Sequence, residues 1–217
     1  MKRMQVGFGL LEVMLALAIG LVVLVAASQL FVSAHQTWRL QGAALRLQDD
    51  ARLALLRMAQ DIRMAGMFGC LRLKPGDFID PLARQAFSQP LVIGASSLEL
   101  VVAESSGYTG KPDWTLLTDC REEAVVFQGP PSQTGTVMTV RITRHRYELR
   151  GSILYFTRGK NSQAQPLASH VSEMQVTQVD APEGGRVDLQ LTLFEPTLQL
   201  EQRHELSVAL RNPVSIP

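Results

Sequence analysis

No Asp, Glu, Lys or Arg occurs between Glu12 and Arg39, and the 217-residue chain carries only two cysteines and a net charge of +1. The balanced charge excludes a global basic field of the kind that holds a polyanion, so no nucleic acid is expected as a partner. The spacing of Cys70 and Cys120 excludes a C-x-x-C redox or metal pair. His35, His145, His170 and His204 show no metal-ligand spacing. There is no G-x-S-x-G, no glycine-rich phosphate loop and no recognisable nucleophile motif around either cysteine. No reaction can therefore be assigned: the chain is not expected to be an enzyme, and no cofactor or metal is expected. Internal repeats and low-complexity segments are also lacking.

What is present begins with a long apolar run. Residues 13–32 are apolar except for Ser28 and Gln29, enough for a helix to cross a bilayer whose hydrocarbon core is roughly 30 Å thick. Lys2 and Arg3 precede the run and Arg39 follows it. The two leader charges predict a cytoplasmic N-terminus, with everything after about residue 35 on the other side. A cleavable secretory signal has a shorter apolar stretch, of about 7 to 15 residues, and leaves Glu12 at the head of the run without a role. A plain anchor has the same defect, because a carboxylate in the bilayer costs up to about 3 kcal/mol, less near an end.

A cut between Gly7 and Phe8 resolves this. Phe8 would then carry a positive α-amine, and Glu12 would stand four residues on. In a stack of related helices, Glu12 of one subunit could meet the amine of its neighbour, a charge pair that specifies register.

The stretch GFGLLEVMLALAIG (residues 7–20) resembles the class III signal of type IV prepilins and pseudopilins. In that resemblance MKRMQVG (residues 1–7) is the leader removed by prepilin peptidase, Gly7 precedes the cut, Phe8 becomes N-terminal and N-methylated, and Glu12 is the assembly carboxylate. Gly9 departs from the commoner Ser or Thr. Gln29 stands where many major pilins have proline, which puts local melting of the helix in doubt; Gly20 is the remaining weak point in the span.

Beyond the span the helix is expected to continue over residues 35–66. Leu40, Ala44, Leu47, Ala51, Ala54, Met58, Ile62 and Ala65 recur at steps of three or four. Arg39, Arg46, Asp49, Asp50, Arg52, Arg57, Asp61 and Arg63 occupy other positions and read as a solvated face. Arg46 with Asp50 and Arg57 with Asp61 are four apart and can pair, each for about 0.2 to 0.5 kcal/mol. AGMFGC ends the helix with Gly66 and Gly69. Strands are expected at residues 96–104, 124–128, 136–143, 147–150, 153–157, 171–179, 187–194 and 205–210, forming an antiparallel meander with one dry face against the helix. Residues 71–95 and 104–120 read as loops. The expected fold is α+β and pilin-like: leader 1–7, transmembrane and assembly helix 8–34, amphipathic helix 35–66, and β-sheet domain 67–217.

An even cysteine count outside the cytoplasm favours a Cys70–Cys120 bridge; two buried free thiols are the alternative. Closing a loop of about 50 residues stabilises by roughly 4 kcal/mol in the chain-entropy model. The densest basic run, RITRHRYELR (residues 141–150), could be a patch for DNA or an acidic surface. Strand alternation accounts for it instead: Arg144, Arg146, Glu148 and Arg150 share one face, and His145, Tyr147 and Leu149 the other.

MAGMFGC after the helix, TDCREEAVVFQ around the second cysteine and a terminal LRNPV are similar to the PilW-like minor pilins of Gram-negative type IVa pili. That resemblance implies a low-abundance subunit that helps to start a pilus, sits near its tip and supports twitching motility. Its partners would be other minor pilins and the major pilin through the N-terminal helix, prepilin peptidase, the inner-membrane assembly platform and a possible tip adhesin. It would reside in the inner membrane with a periplasmic C-terminal domain before assembly, and at the cell surface after it. A minor pseudopilin of a type II secretion system is the alternative within the superfamily; a membrane-tethered binding, enzymatic or DNA-uptake protein is the alternative outside it.

Overall fold

The computed structural model describes residues 9–105, 107, 109–130, 138–180 and 185–212. The chain divides between Leu45 and Arg46 into two compact units. The helix α1 (Leu10–Met64) has no break at Gly20 or Gln29. Its N-terminal part is long and apolar enough to cross a membrane, and none of the most apolar window, of mean hydropathy 2.7, is buried. Two hydroxyls in this part are satisfied within the helix: Ser28 Oγ donates to the Leu24 carbonyl at 2.8 Å and Thr37 Oγ1 to that of Ser33 at 2.9 Å.

In the second unit, the helix from Arg46 onward buries Leu47, Ala51, Ala54, Leu55, Met58, Ala59 and Ile62. These alanines, with Leu47, Met58 and Ile62, share one apolar cluster with side chains of the strands. Leu40, expected to begin this stripe, is exposed. The helix stops at Met64 because Gly66 takes a left-handed φ of 75° and donates its N–H to the Val101 carbonyl at 3.3 Å.

The strands form two antiparallel sheets. In the larger, the order is β1 (Leu91–Ile93), β2 (Ser97–Ala103), β5 (Met138–Arg150), β3 (Trp114–Thr118) and β4 (Ala124–Gln128); β6 (Ile153–Arg158) pairs with β5, and β7 (Gln165–Ser169) with β6. The smaller sheet has β9 (Arg186–Glu195) between β8 (Val171–Val179) and β10 (Leu200–Ala209). β5 is long enough to serve two neighbours on one edge, with β3 opposite residues 138–142 and β6 opposite residues 145–150. Asp113 fills the junction, its carboxylate accepting from the Arg144 N–H at 2.8 Å and the Lys160 N–H at 2.9 Å.

This corrects the expected arrangement in three ways. The described part of the piece expected at 136–143 and the piece expected at 147–150 are one strand, β5, because Arg144 and Arg146 alternate with the buried His145 and Tyr147 and no turn intervenes. A single meander is replaced by two sheets, in which β5 lies between β2 and β3. The segments read as loops contain β1, β3, a 3₁₀ turn (Pro75–Asp77) and the helix α2 (Pro81–Ser88), whose first turn is capped by Asp80 accepting from the Leu82 N–H at 2.9 Å.

The core has two parts. One joins the helix stripe to Leu98, Leu100 and Val102 of β2, Tyr147 of β5, Leu154 of β6 and the inward side chains of β8, β9 and β10, which is the expected dry face. The other packs Phe68, Ala83 and Phe87 on Val101, Trp114, Leu116, Val126, Val140 and Ile142. Part of the large sheet is therefore dry on both faces, since α2 covers the side expected to be wet.

Candidate functional site

The cleavage junction, Gly7 and Phe8, lies outside the described residues, as does the rest of the leader. The next positions are described. Gly9 accepts backbone bonds from Glu12 at 3.0 Å and Val13 at 3.3 Å, and Glu12 stands in the first turn of α1. A carboxylate there is favoured by the helix dipole by about 0.3 to 1 kcal/mol. No described residue offers it an ion pair or hydrogen bond. Beside it, Ala16 and Gly20 follow at steps of four, and a shallow groove lined by Glu12, Val13, Ala16, Leu17, Gly20 and Leu24 runs along this face. A Cβ on Gly20 would meet nothing. Small residues four apart let another helix approach closely, so the exposed carboxylate heads a surface suited to helix packing.

Cys70 and Cys120 are bonded, with Cα atoms 5.4 Å apart. The bridge ties the segment after α1 to the turn between β3 and β4. That turn is built around Asp119, whose Oδ1 accepts the N–H groups of Arg121, Glu122 and Glu123 at 2.9, 3.0 and 3.0 Å. These bonds hold the Asp119 carboxyl below its ordinary pKa. Cys120 has a positive φ of 59°, uncommon for a residue with a Cβ. Its N–H is fixed at 3.0 Å by Thr118 Oγ1.

A buried ionic cluster was missed in the sequence. Asp61, read as part of a solvated face, is 6% exposed. Its Oδ2 accepts from the Tyr147 hydroxyl at 2.6 Å and contacts His145 Nδ1 at 2.7 Å. On the other side of the imidazole, Nε2 meets Glu104 Oε1 at 3.1 Å, and Glu104 in turn holds Arg158 through both oxygens. Arg57 Nε lies 3.5 Å from Asp61, an ion pair without hydrogen-bond geometry, and its guanidinium sits 5.0 Å from the Phe156 ring centre. The signal was available: Asp61 lies three residues after Met58 and four before Ala65, steps that return to the buried face.

With a carboxylate oxygen at each nitrogen, the His145 ring is held as imidazolium. Burial is the largest influence on His145 and lowers its pKa, but the bonds and charges of Asp61 and Glu104 outweigh it, and the value is raised. Burial likewise opposes ionisation of Asp61 and Glu104, yet their hydrogen bonds to His145 and the charges around them leave both lowered. Burial and the Asp61 charge push the Tyr147 hydroxyl up, so it stays a neutral donor. The two carboxylates lie on opposite sides of one ring and do not converge, and among the described residues no group of three or more His, Cys, Asp or Glu is placed to hold a metal ion.

The basic run is paired in the structure. Arg144 and Arg146 both meet Glu99 on β2, Arg150 meets Glu148 at 2.6 Å, and Arg144 also lies over the Trp114 ring.

Residues 2–28 match the family described as the prokaryotic N-terminal methylation motif. The match covers the leader, Gly7, Phe8, Glu12 and most of the apolar run, and it supports a type IV pilin-like protein. It implies a substrate of prepilin peptidase with pilus-assembly partners. No curated protein and no solved structure matches the chain at the significance required.

Proposed function

We propose that the chain is a PilW-like minor pilin, cut between Gly7 and Phe8, methylated on Phe8, and assembled near the tip of a type IV pilus through its N-terminal helix. The observation that carries this reading is the coincidence of the methylation motif over residues 2–28 with an exposed Glu12, without an ion pair or hydrogen bond from any described residue, in the first turn of a 55-residue helix. A lone carboxylate at the head of an uncharged run is explained by a neighbouring subunit's amine. The helix is the membrane anchor before assembly and the packing surface after it, with other minor pilins and the major pilin as partners. The disulfide suits a domain outside the cytoplasm.

The subunit is structural and does not act as an enzyme. Both nitrogens of its buried histidine are occupied by carboxylates, which leaves no lone pair to serve as a general base. A deletion strain tests the role: loss of surface pili and twitching with secretion intact supports a minor pilin. Loss of protein secretion with pili intact replaces it by a pseudopilin of a type II system.

A further inference from the structure

Aromatic residues are scarce in this helix and unevenly placed. The 55 residues of α1 contain two, Phe31 and Trp38, both near the end of the apolar run. They lie with His35 at steps of four and three, on one face. The Phe31 and His35 rings are stacked with centres 6.4 Å apart, and His35 and Trp38 are 6.1 Å apart. Phe31 and Trp38 are 74% and 71% exposed, so this three-ring ladder lies open to its surroundings. Arg39, the first formal charge after Glu12, follows at once.

Helix length fixes where such a ladder falls. At about 1.5 Å per residue, a hydrocarbon core of roughly 30 Å that begins just after Glu12 ends about twenty residues on, near Ser33. Phe31 then lies at the edge of the acyl chains, and Trp38 about 8 Å beyond Ser33, at headgroup level. Tryptophan favours that layer because its indole is apolar in body and carries one N–H donor. Arg39 adds a positive charge beside the lipid phosphates, and Thr37 has already satisfied its hydroxyl within the helix. Phe31, a ring without a polar atom, stands on the acyl side of the ladder, and Trp38 with Arg39 on the headgroup side. The polarity of the ladder thus runs in the direction of the membrane boundary.

We infer that Phe31, His35, Trp38 and Arg39 form a lipid-interface anchor that docks on the phospholipid headgroup layer opposite the Glu12 end. The inference rests on the proposed membrane anchorage of α1. Its consequence is a preferred depth: with Glu12 at one boundary and the ladder at the other, sliding one way draws the Glu12 carboxylate into hydrocarbon, and sliding the other way draws in His35 and then the Trp38 N–H. A waiting subunit is thereby held at the level where Glu12 is presented for assembly.

The test uses the full chain in phospholipid vesicles, with lipids brominated either next to the headgroup or near the chain terminus. Trp114 is the second tryptophan, so the Trp38 signal is the difference between the native chain and Trp38→Phe. Stronger quenching of that signal by the shallow label than by the deep one is expected. Stronger quenching by the deep label overturns the interface placement, and absence of quenching in vesicles that carry the protein means the ladder faces protein or water and overturns it as well. Flotation keeps the two readings apart: a chain that fails to float with vesicles refutes the membrane anchorage, and the lipid-interface anchor with it.

Discussion

Replacing Asp61 by asparagine removes one of the two carboxylates that hold His145 while keeping the shape and an acceptor for Tyr147. Breaking a buried ion pair from one side costs about 3 to 5 kcal/mol. The introduced amide oxygen still accepts from the Tyr147 hydroxyl and Glu104 still faces Nε2, so the low end applies, about 3 kcal/mol. For a chain of this size each kcal/mol moves Tm by about 2 to 4 °C, so Asp61→Asn should lower it by roughly 6 to 12 °C. The pH dependence carries the sign. His145 has a raised pKa, so its contribution is complete below about 6.5 and is lost as pH rises through the raised folded value. Asp61 and Glu104 have lowered values, so theirs is present above about 4.5 and is lost as pH falls through the lowered folded values. The cluster should therefore give a stability plateau between about pH 4.5 and 6.5 with a decline on each side. In Asp61→Asn the alkaline decline should be smaller and end at lower pH, because the imidazolium has lost a partner and its folded pKa is raised less, while the unfolded value that sets the onset is unchanged. Thermal unfolding of the full chain in detergent across this range, by circular dichroism, measures both effects. A cost below about 1 kcal/mol together with an unmoved alkaline limb would refute the argument that these charges hold one another.

Two further perturbations bear on other parts of the chain. Reducing the Cys70–Cys120 bridge, which closes a 50-residue separation, should cost about 4 kcal/mol in the chain-entropy model; unchanged unfolding with reductant, or thiols that label in the unreduced denatured protein, would count against it. On the proposed function, Glu12→Ala should leave processing and membrane residence intact but fail to join or stabilise the tip complex, and Glu12→Gln should be nearly as poor. Cross-linking to other minor pilins with pilus counts is the check, and wild-type levels of both would remove the assembly role from Glu12.

The parts legible in the sequence were those with a strong period or a covalent rule. The helix stripe from Leu47 to Ile62, the strands at 124–128 and 171–179, and the cysteine pair all stand where their patterns put them. β3 was not legible because its five residues include two threonines, Thr115 and Thr118, that are buried by bonding backbone carbonyls, at 2.7 and 2.8 Å. Polarity there signals a satisfied interior. The burial of Asp61 could be read from its helical spacing, but its partners could not: His145 and Tyr147 lie 84 and 86 residues away, and only the fold brings them beside the helix. α2 escaped because eight residues give too short a period to stand out from a proline-containing loop.

On the proposed function, this chain is made as a prepilin-like precursor and matured at its N-terminus. Mass spectrometry of the native protein measures that directly. The expected first residue is Phe8 bearing one methyl group on its amine, with residues 1–7 absent, and the leader is expected to be retained when Gly7 is replaced by a bulky residue. A native protein that keeps Met1, or one that begins near Ala27 as a conventional secretory signal would leave it, would contradict prepilin maturation.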